Sequence, residues 1–367
     1  MKKVLFITTT PFYQEKGSSL RVYSMAKMLS SEYIIDLVTY SLGENKIIPN
    51  VTIHRTPAFF KPKVGVSKIS PSKVILDFFV FLKCLSLIAR YRYDIIHCED
   101  FEAAFLGRCL LLFNKKKFFV YDLHNRILDN LTIKESPSQL LRELVLRCES
   151  FVVRRCNLVI LNWNKYSGDD IFKNTTTILY YDQVDVDTIE PCQLTFKGEY
   201  LVYAGNFEPY QGIREFVEVF SKCDVNYKLV LIGSPSQEIV DFVQKDNLSD
   251  RVILAGRLSV PQTNYFIKNS IAGILPRISG VQPSMKMIHY FLHEKPVIAA
   301  NIECNLELIK NNMNGFTYSN EMQLINILNS INNGEHSLLF KEGLVKTKTH
   351  LRELTTQEMF LGKYYAR

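Results

Sequence analysis

The strongest constraint in this sequence is an alternation that runs along the chain, breaks once and starts again. "KVLFITTT" is an apolar run, and "SSLRVYSMAKMLSSE" after it carries Val22, Met25, Ala26 and Leu29 at helical spacing, with Ser18 or Ser19 as N-cap. "YIIDLVTY", "YDIIHCED", "FFVYDLHN" and "NLVILNW" repeat the short apolar theme, and helices are predicted from about Ser72 and about Ser138. The pattern restarts at "EYLVYAGN" and continues through "GIREFVEVFSK", "YKLVLIGS", "SQEIVDFVQKD", "RVILAG", "AGILP" and "KPVIAA". Strand-length apolar runs separated by helices build βαβ units, and βαβ units build parallel sheets buried on both faces.

The reading is therefore an α/β protein of two doubly wound, Rossmann-like domains. The first spans 1–180. A polar, Pro-containing linker spans 181–198, the second domain spans 199–345, and a helical tail over 346–367 returns to the first domain. A chain of 367 residues is long enough for two separate cores. In open α/β sheets ligands bind at the carboxyl ends of the strands, so a cleft between two such sheets is the expected site. Polar residues gather at those ends: Thr8 to Thr10, Glu99 and Asp100, Asp122 and His124, Asn206, and Ser234.

Composition narrows the classes. Apolar residues are 47% and charged residues 22%, which fits a globular protein and excludes a disordered one. Eight cysteines without a CxxC pair or a Cys/His cluster argue against a zinc site or a disulfide framework, so no metal site is expected. Reduced thiols and the lack of a signal peptide point to the cytoplasm. The net charge is +7, but its basic residues are not interleaved with aromatics along one face, so nucleic acid is not an expected partner. Lys61, Lys63, Lys68 and Lys73 lead into "VILDFFVFLKCLSLIARYR", an apolar run that Asp77 and Lys83 keep short of a membrane span. With Lys115 to Lys117 they raise the expectation of peripheral contact with an anionic membrane, at its inner face.

The segment "YAGNFEPYQGIREFVEVF" joins a strand to a helix through Gly205 and Gly212, the punctuation of a phosphate-binding turn, yet Asn206 and Gln211 stand where cations would help. The cation is expected instead in "SGVQPSMKMIHYF". Gly280 permits close backbone approach, and Pro283 suits a first helical turn. Ser279, Gln282 and Ser284 lie near free N–H groups, and Lys286 sits in the first turn. Lys286, His289 and His293 share one helix face, whereas Met285, Ile288 and Leu292 are expected to face the core. Gly17, Ser18 and Ser19 offer a second helix N-terminus for a phosphate or acceptor. His124, with Asp122 or Asp129 to orient it, and the carboxylates Glu99 and Asp100 are the catalytic candidates. Asp100 could equally serve as a helix cap.

Four segments together resemble the GT-B glycosyltransferases of family 4: "PFYQEKGSSLRVYSMAKMLSS", the donor-type loop above, "LPRISGVQPSMKMIHYFLHEKPVIAAN" and "ELIKNNMNGFTY". The local pattern resembles a bacterial branch with an "EPYQG" loop. Members commonly carry loop cations and two glutamates eight positions apart. Here those positions hold Asn206, Gln211, Val281 and His289. The resemblance implies transfer of a sugar from a nucleotide-diphosphate sugar to a glycan or lipid-linked acceptor. It implies retention of configuration, no metal and no cofactor, and a place in surface polysaccharide or lipopolysaccharide assembly. It places His124 near the transferred sugar and His289 at the ribose, and makes Arg257, in "LAGRLSVPQ", the candidate for contact with the base. Two other readings stay open: a non-catalytic nucleotide-sugar-binding module, and a GT-B sugar-nucleotide epimerase.

Overall fold

The computed structural model describes residues 1–14, 17–58, 71–112, 117–132, 138–181, 184–192, 194, 196–333, 340–355, 361, 362 and 364. Lys61, Lys63, Lys68, Lys115 and Lys116 lie outside the described residues. The chain divides into two compact units, Met1–Gln183 with Thr355–Arg367, and Val184–Leu354.

The first unit holds a seven-stranded sheet of β1 (Lys2–Thr8), β2 (Tyr33–Thr39), β3 (Val51–Arg55), β4 (Ile95–Glu99), β5 (Phe118–Leu123), β6 (Leu158–Leu161) and β7 (Thr176–Leu179), in the order β3-β2-β1-β4-β5-β6-β7. Every pairing is parallel. Its helices are α1 (Gly17–Leu29), α2 (Pro71–Arg90), α3 (Asp100–Leu110), α4 (Ile127–Thr132) and α5 (Gln139–Val153). On one face Val22, Met25 and Leu29 of α1 pack on Val4, Phe6, Ile35 and Leu37, joined by Leu361 and Tyr364 from the chain's end.

The second unit repeats the plan with β8 (Tyr200–Ala204), β9 (Lys228–Ile232), β10 (Val252–Gly256), β11 (Ala272–Leu275), β12 (Val297–Ala300) and β13 (Gly315–Tyr318), in the order β10-β9-β8-β11-β12-β13. Its helices are α6 (Ile213–Lys222), α7 (Gln237–Lys245), α8 (Val260–Asn269), α9 (Met285–Leu292), α10 (Glu303–Leu306), α11 (Glu321–Asn332) and α12 (Lys341–Thr355). In both sheets the order reverses beside the first strand, the switch point at which doubly wound folds bind ligands.

The boundaries differ from the sequence reading in two places. Most of the proposed linker belongs to the second unit, because buried Asn264 donates to the carbonyls of Asp185 and Thr188, both at 2.8 Å. Helix α12 also lies almost wholly in that unit, so only the residues from Thr355 onward return to the first. The Asp185–Val184 region is turn chemistry: the Asp185 carboxylate accepts from the backbone N–H groups of Asp187 and Thr188. Replacing Asn264 with alanine should cost about 2–3 kcal/mol, since it strips two carbonyls and a buried imidazole of their partner. Denaturant unfolding would measure it, and a loss under about 0.5 kcal/mol would deny the anchor.

Candidate functional site

In the second unit the strand-end loops converge on Lys286. Its ammonium donates to the Gln211 amide oxygen at 2.8 Å and the Tyr203 hydroxyl at 3.0 Å, and lies 4.5 Å over the Tyr203 ring. A side chain at Gly205 would meet the Lys286 Cε and Nζ at 2.8 Å, so the bare glycine leaves room for the amine. Burial, with Arg277 nearby, pushes the Lys286 amine down to about 7. Arg277 itself is buried and donates to the carbonyls of Ser279 and Gln282, each at 3.1 Å. Neither cation forms an ion pair among the described residues. Ser284 caps α9 without a side-chain bond, and the Met287 N–H donates to its carbonyl at 2.9 Å, so it is the N–H groups of Met285 and Lys286 that have no acceptor inside the helix.

Several placements correct the sequence reading. Gly280 is required by Arg277, not by a ligand, because a Cβ there would lie 1.6 Å from the guanidinium. Met287, not Met285, joins Ile288 and Leu292 in the core, and Met285 is half-buried. His289 is buried, with Nε2 2.5 Å from the Asn264 amide oxygen. Burial pushes it down to about 3, so it is a neutral structural partner with one nitrogen already taken at the position the resemblance gives to the ribose. His293 reaches the same oxygen at 3.3 Å. Asn206 is exposed, and its side-chain oxygen accepts from the Glu208 N–H at 3.3 Å, an Asx turn. Arg257 follows β10 and donates to the Ser234 hydroxyl at 2.6 Å, which fastens two neighbouring strand ends.

Gly212 is left-handed at φ 63° and caps α6, and a Cβ there would lie 2.4 Å from the Pro276 carbonyl oxygen. Gly212→Ala should therefore cost at least about 2 kcal/mol from the left-handed conformation and the clash together. Melting should fall by at least about 4 °C. An unchanged transition would show that the loop adapts.

In the first unit the register of three strands aligns a polar row. Thr8 pairs with Glu99 and Glu99 with Asp122, across β1, β4 and β5, and His124 follows the end of β5. All four are buried. Thr8 donates to one Glu99 oxygen. The other, Oε1, lies 3.5 Å from His124 Nε2, and both atoms lack a hydrogen bond among the described residues. Burial raises Glu99 to about 7, against the pull of His124. Burial alone would depress His124, but Glu99 and Asp100 outweigh it and hold it above its ordinary value. Asp100 opens α3 in the left-handed region at φ 68°, and burial raises its carboxyl too. The N-cap is Glu99, which makes no side-chain cap bond, so neither carboxylate serves as the cap considered for Asp100.

Neither aspartate orients His124 by a hydrogen bond. Asp122 is held by Arg21 of α1 in a two-pronged contact at 2.6 and 3.1 Å, and Asp129 accepts the Tyr166 hydroxyl at 2.6 Å. Arg21 keeps Asp122 ionised against its burial. His97 lies deeper in the sheet, where its Nδ1 sits 2.7 Å from the Tyr364 hydroxyl. Ser18 and Ser19 lie within the first turn of α1, not at its cap, and the Ser19 hydroxyl accepts from the Gln14 N–H at 2.8 Å. Gly17 opens that helix with no neighbour near an added Cβ. Sequence reasoning missed Arg21, Arg277 and Asn264. Arg21 was detectable, since it shares a helical face with Met25 and Met28 in an otherwise apolar stripe.

Two Rossmann-like domains with these strand orders define the GT-B fold, and solved structures agree over the whole chain. Sucrose-phosphate synthase from Thermosynechococcus elongatus superposes with a TM-score of 0.78 at 17% identity, covering 100% of this chain and 98% of its own. HepE of Anabaena, solved with UDP and glucose, superposes at 0.73 with 16% identity, covering 100% and 98%. Residues 190–338 match the family model described as glycosyl transferases group 1. In sequence the chain is similar to an uncharacterized glycosyltransferase of Methanocaldococcus jannaschii, 24% identical over 306 residues, 82% of this chain and 79% of the relative.

Proposed function

We propose that this protein transfers a sugar from a nucleotide-diphosphate sugar to an acceptor hydroxyl. The observation that carries the reading is the pair Lys286 and Arg277: a half-buried and a buried cation with no anion among the described residues, beside a helix N-terminus and a glycine loop, inside the segment that matches glycosyl transferases group 1. A diphosphate would supply the missing charge. HepE, of the same fold, is solved with UDP, which supports a nucleotide ligand for this chain.

Within this reading the chain acts as a family 4 enzyme of the branch with an "EPYQG" loop. It works with retention of configuration, and the leaving diphosphate is met by Lys286, Arg277 and the first-turn N–H groups rather than a divalent ion. The acceptor is a glycan or lipid-linked sugar of bacterial surface polysaccharide, presented at the inner face of the cytoplasmic membrane.

Thermal stabilisation against a panel of nucleoside diphosphates tests the reading. The matching nucleotide at a hundred times its Kd should add about 2.7 kcal/mol. No stabilisation by any of them would remove it. A product assay then separates the alternatives, since binding without turnover marks a binding module and turnover without acceptor marks an epimerase.

A further inference from the structure

Helix α2 is apolar on nearly every side. Leu76, Val80, Cys84 and Leu87 are buried beneath it, while Val74 (61% exposed), Ile75, Phe78 (56% exposed) and Leu82 face outward. A helix of that kind is normally covered. Its acid does not break the outer face, because Asp77 accepts the Tyr40 hydroxyl at 2.5 Å. Lys73 pairs with Glu102 of α3.

The bare surface continues onto α5, where Leu140 (79% exposed), Leu141, Leu144 (57% exposed) and Phe151 are uncovered. Helix α3 packs between the two, and Phe105 links them with its ring 6.0 Å from that of Phe151. The charges among these apolar groups are mostly of one sign. Lys83 of α2, Arg108 of α3 and the exposed Arg142 and Arg147 of α5 lie on these same helices, with the Arg108 guanidinium 4.3 Å over the Phe151 ring. Glu143 is the acid exposed on α5, since Glu149 is buried against Arg126.

We infer that the α2–α3–α5 face is a docking surface for an anionic lipid bilayer. Exposed leucines and phenylalanines supply the apolar insertion, and the basic side chains supply attraction to acidic headgroups, the two contributions that together hold a protein at a membrane surface. A second copy is a poorer occupant, because a two-fold interface would bury the same patch from both copies and bring two sets of these basic side chains together. No helix among the described residues is long and apolar enough to cross a membrane, so the contact lies on the surface. The inference is independent of sugar transfer: a chain without transferase activity would still bind.

The test is flotation of the full chain with vesicles of phosphatidylcholine alone or mixed with phosphatidylglycerol. The expected result is binding to the mixed vesicles only, weakened by salt. Combined Phe78→Glu and Leu144→Glu should lower it more than about tenfold, as should Leu140→Glu with Leu141→Glu if the first pair melts differently from the parent. Arg142→Gln with Arg147→Gln should lower it without changing melting. Failure to float with mixed vesicles overturns the inference, as does undiminished binding by both apolar variants. A dimer that those variants split would assign the face to a second copy and overturn it too.

Discussion

Replacing Lys286 with alanine is expected to weaken nucleoside diphosphate binding about 10- to 150-fold while the second unit stays folded. A charge-assisted hydrogen bond contributes about 1.5–3 kcal/mol, and every 1.4 kcal/mol is tenfold in affinity. The fold should tolerate the change because the amine forms no ion pair among the described residues and its burial opposes its own charge. Its value falls from 10.5 to about 7 in the folded chain, so between those limits the unfolded chain binds more protons. Stability therefore rises with pH across that window, and Lys286→Ala should flatten the rise. Binding runs the other way. A diphosphate draws a proton onto the amine, so affinity should fall as pH climbs above about 7, by at most about tenfold per unit. Titration calorimetry near pH 6.5 and 8.5, in buffers of different ionisation enthalpy, reads the proton uptake directly. Equal affinity in mutant and parent, or no uptake at the higher pH, would place the phosphates elsewhere.

The same geometry changes what Gln211 means. Read from sequence, it is the place where a loop cation is missing. In the structure its amide oxygen is the acceptor that holds Lys286, so one cation serves where the family pattern keeps its charge in the loop. Adding Lys at 211 alone would set two ammonium groups together. Gln211→Lys with Lys286→Gln exchanges donor and acceptor and should regain part of the lost affinity.

How much of this was legible follows from the range of each interaction. Strand–helix alternation is local and periodic, so both sheets, the loop at Gly205 to Gly212 and the first turn carrying Lys286 could be read directly. The polar ends of β4 and β5 were legible for the same reason. Side-chain pairs set by register leave no such trace. Arg21 meets Asp122 across 101 positions and His97 meets Tyr364 across 267, and nothing in the intervening sequence encodes either. That is why Asp122 was read as an orienter of His124 when it is committed to Arg21. It is also why His289 was given a ligand when Asn264 already holds it. Gly280 shows the same limit, since the group it makes room for is a guanidinium of its own chain.

His124→Ala should lower sugar transfer about 100- to 10,000-fold and leave nucleotide affinity unchanged, the range of a general acid–base group. The two effects separate because His124 belongs to the first unit and Lys286 to the second. The motive is a matched vacancy in hydrogen bonding: Glu99 Oε1 and His124 Nε2 are both buried, both without a partner, and 3.5 Å apart. A buried polar atom without a hydrogen bond costs about 1–3 kcal/mol, so two lying side by side are retained against stability and suit a hydroxyl that arrives with the acceptor. Asp100 beside them, in the left-handed region, adds backbone strain of the kind that clusters at active sites. Glu99→Gln gives the sharper test. Both members hold their protons more tightly than they would unfolded, so each contributes stability at low pH; the Glu99 part is lost as pH rises from 4.5 through about 7, and the His124 part only above 6.5. The same deprotonation frees a base, so transfer should increase with pH through neutrality in the parent. Glu99→Gln should remove that limb of the profile and flatten the fall in stability. Retained transfer with an unchanged profile in both variants would make the row a structural network, and the base would have to be sought elsewhere.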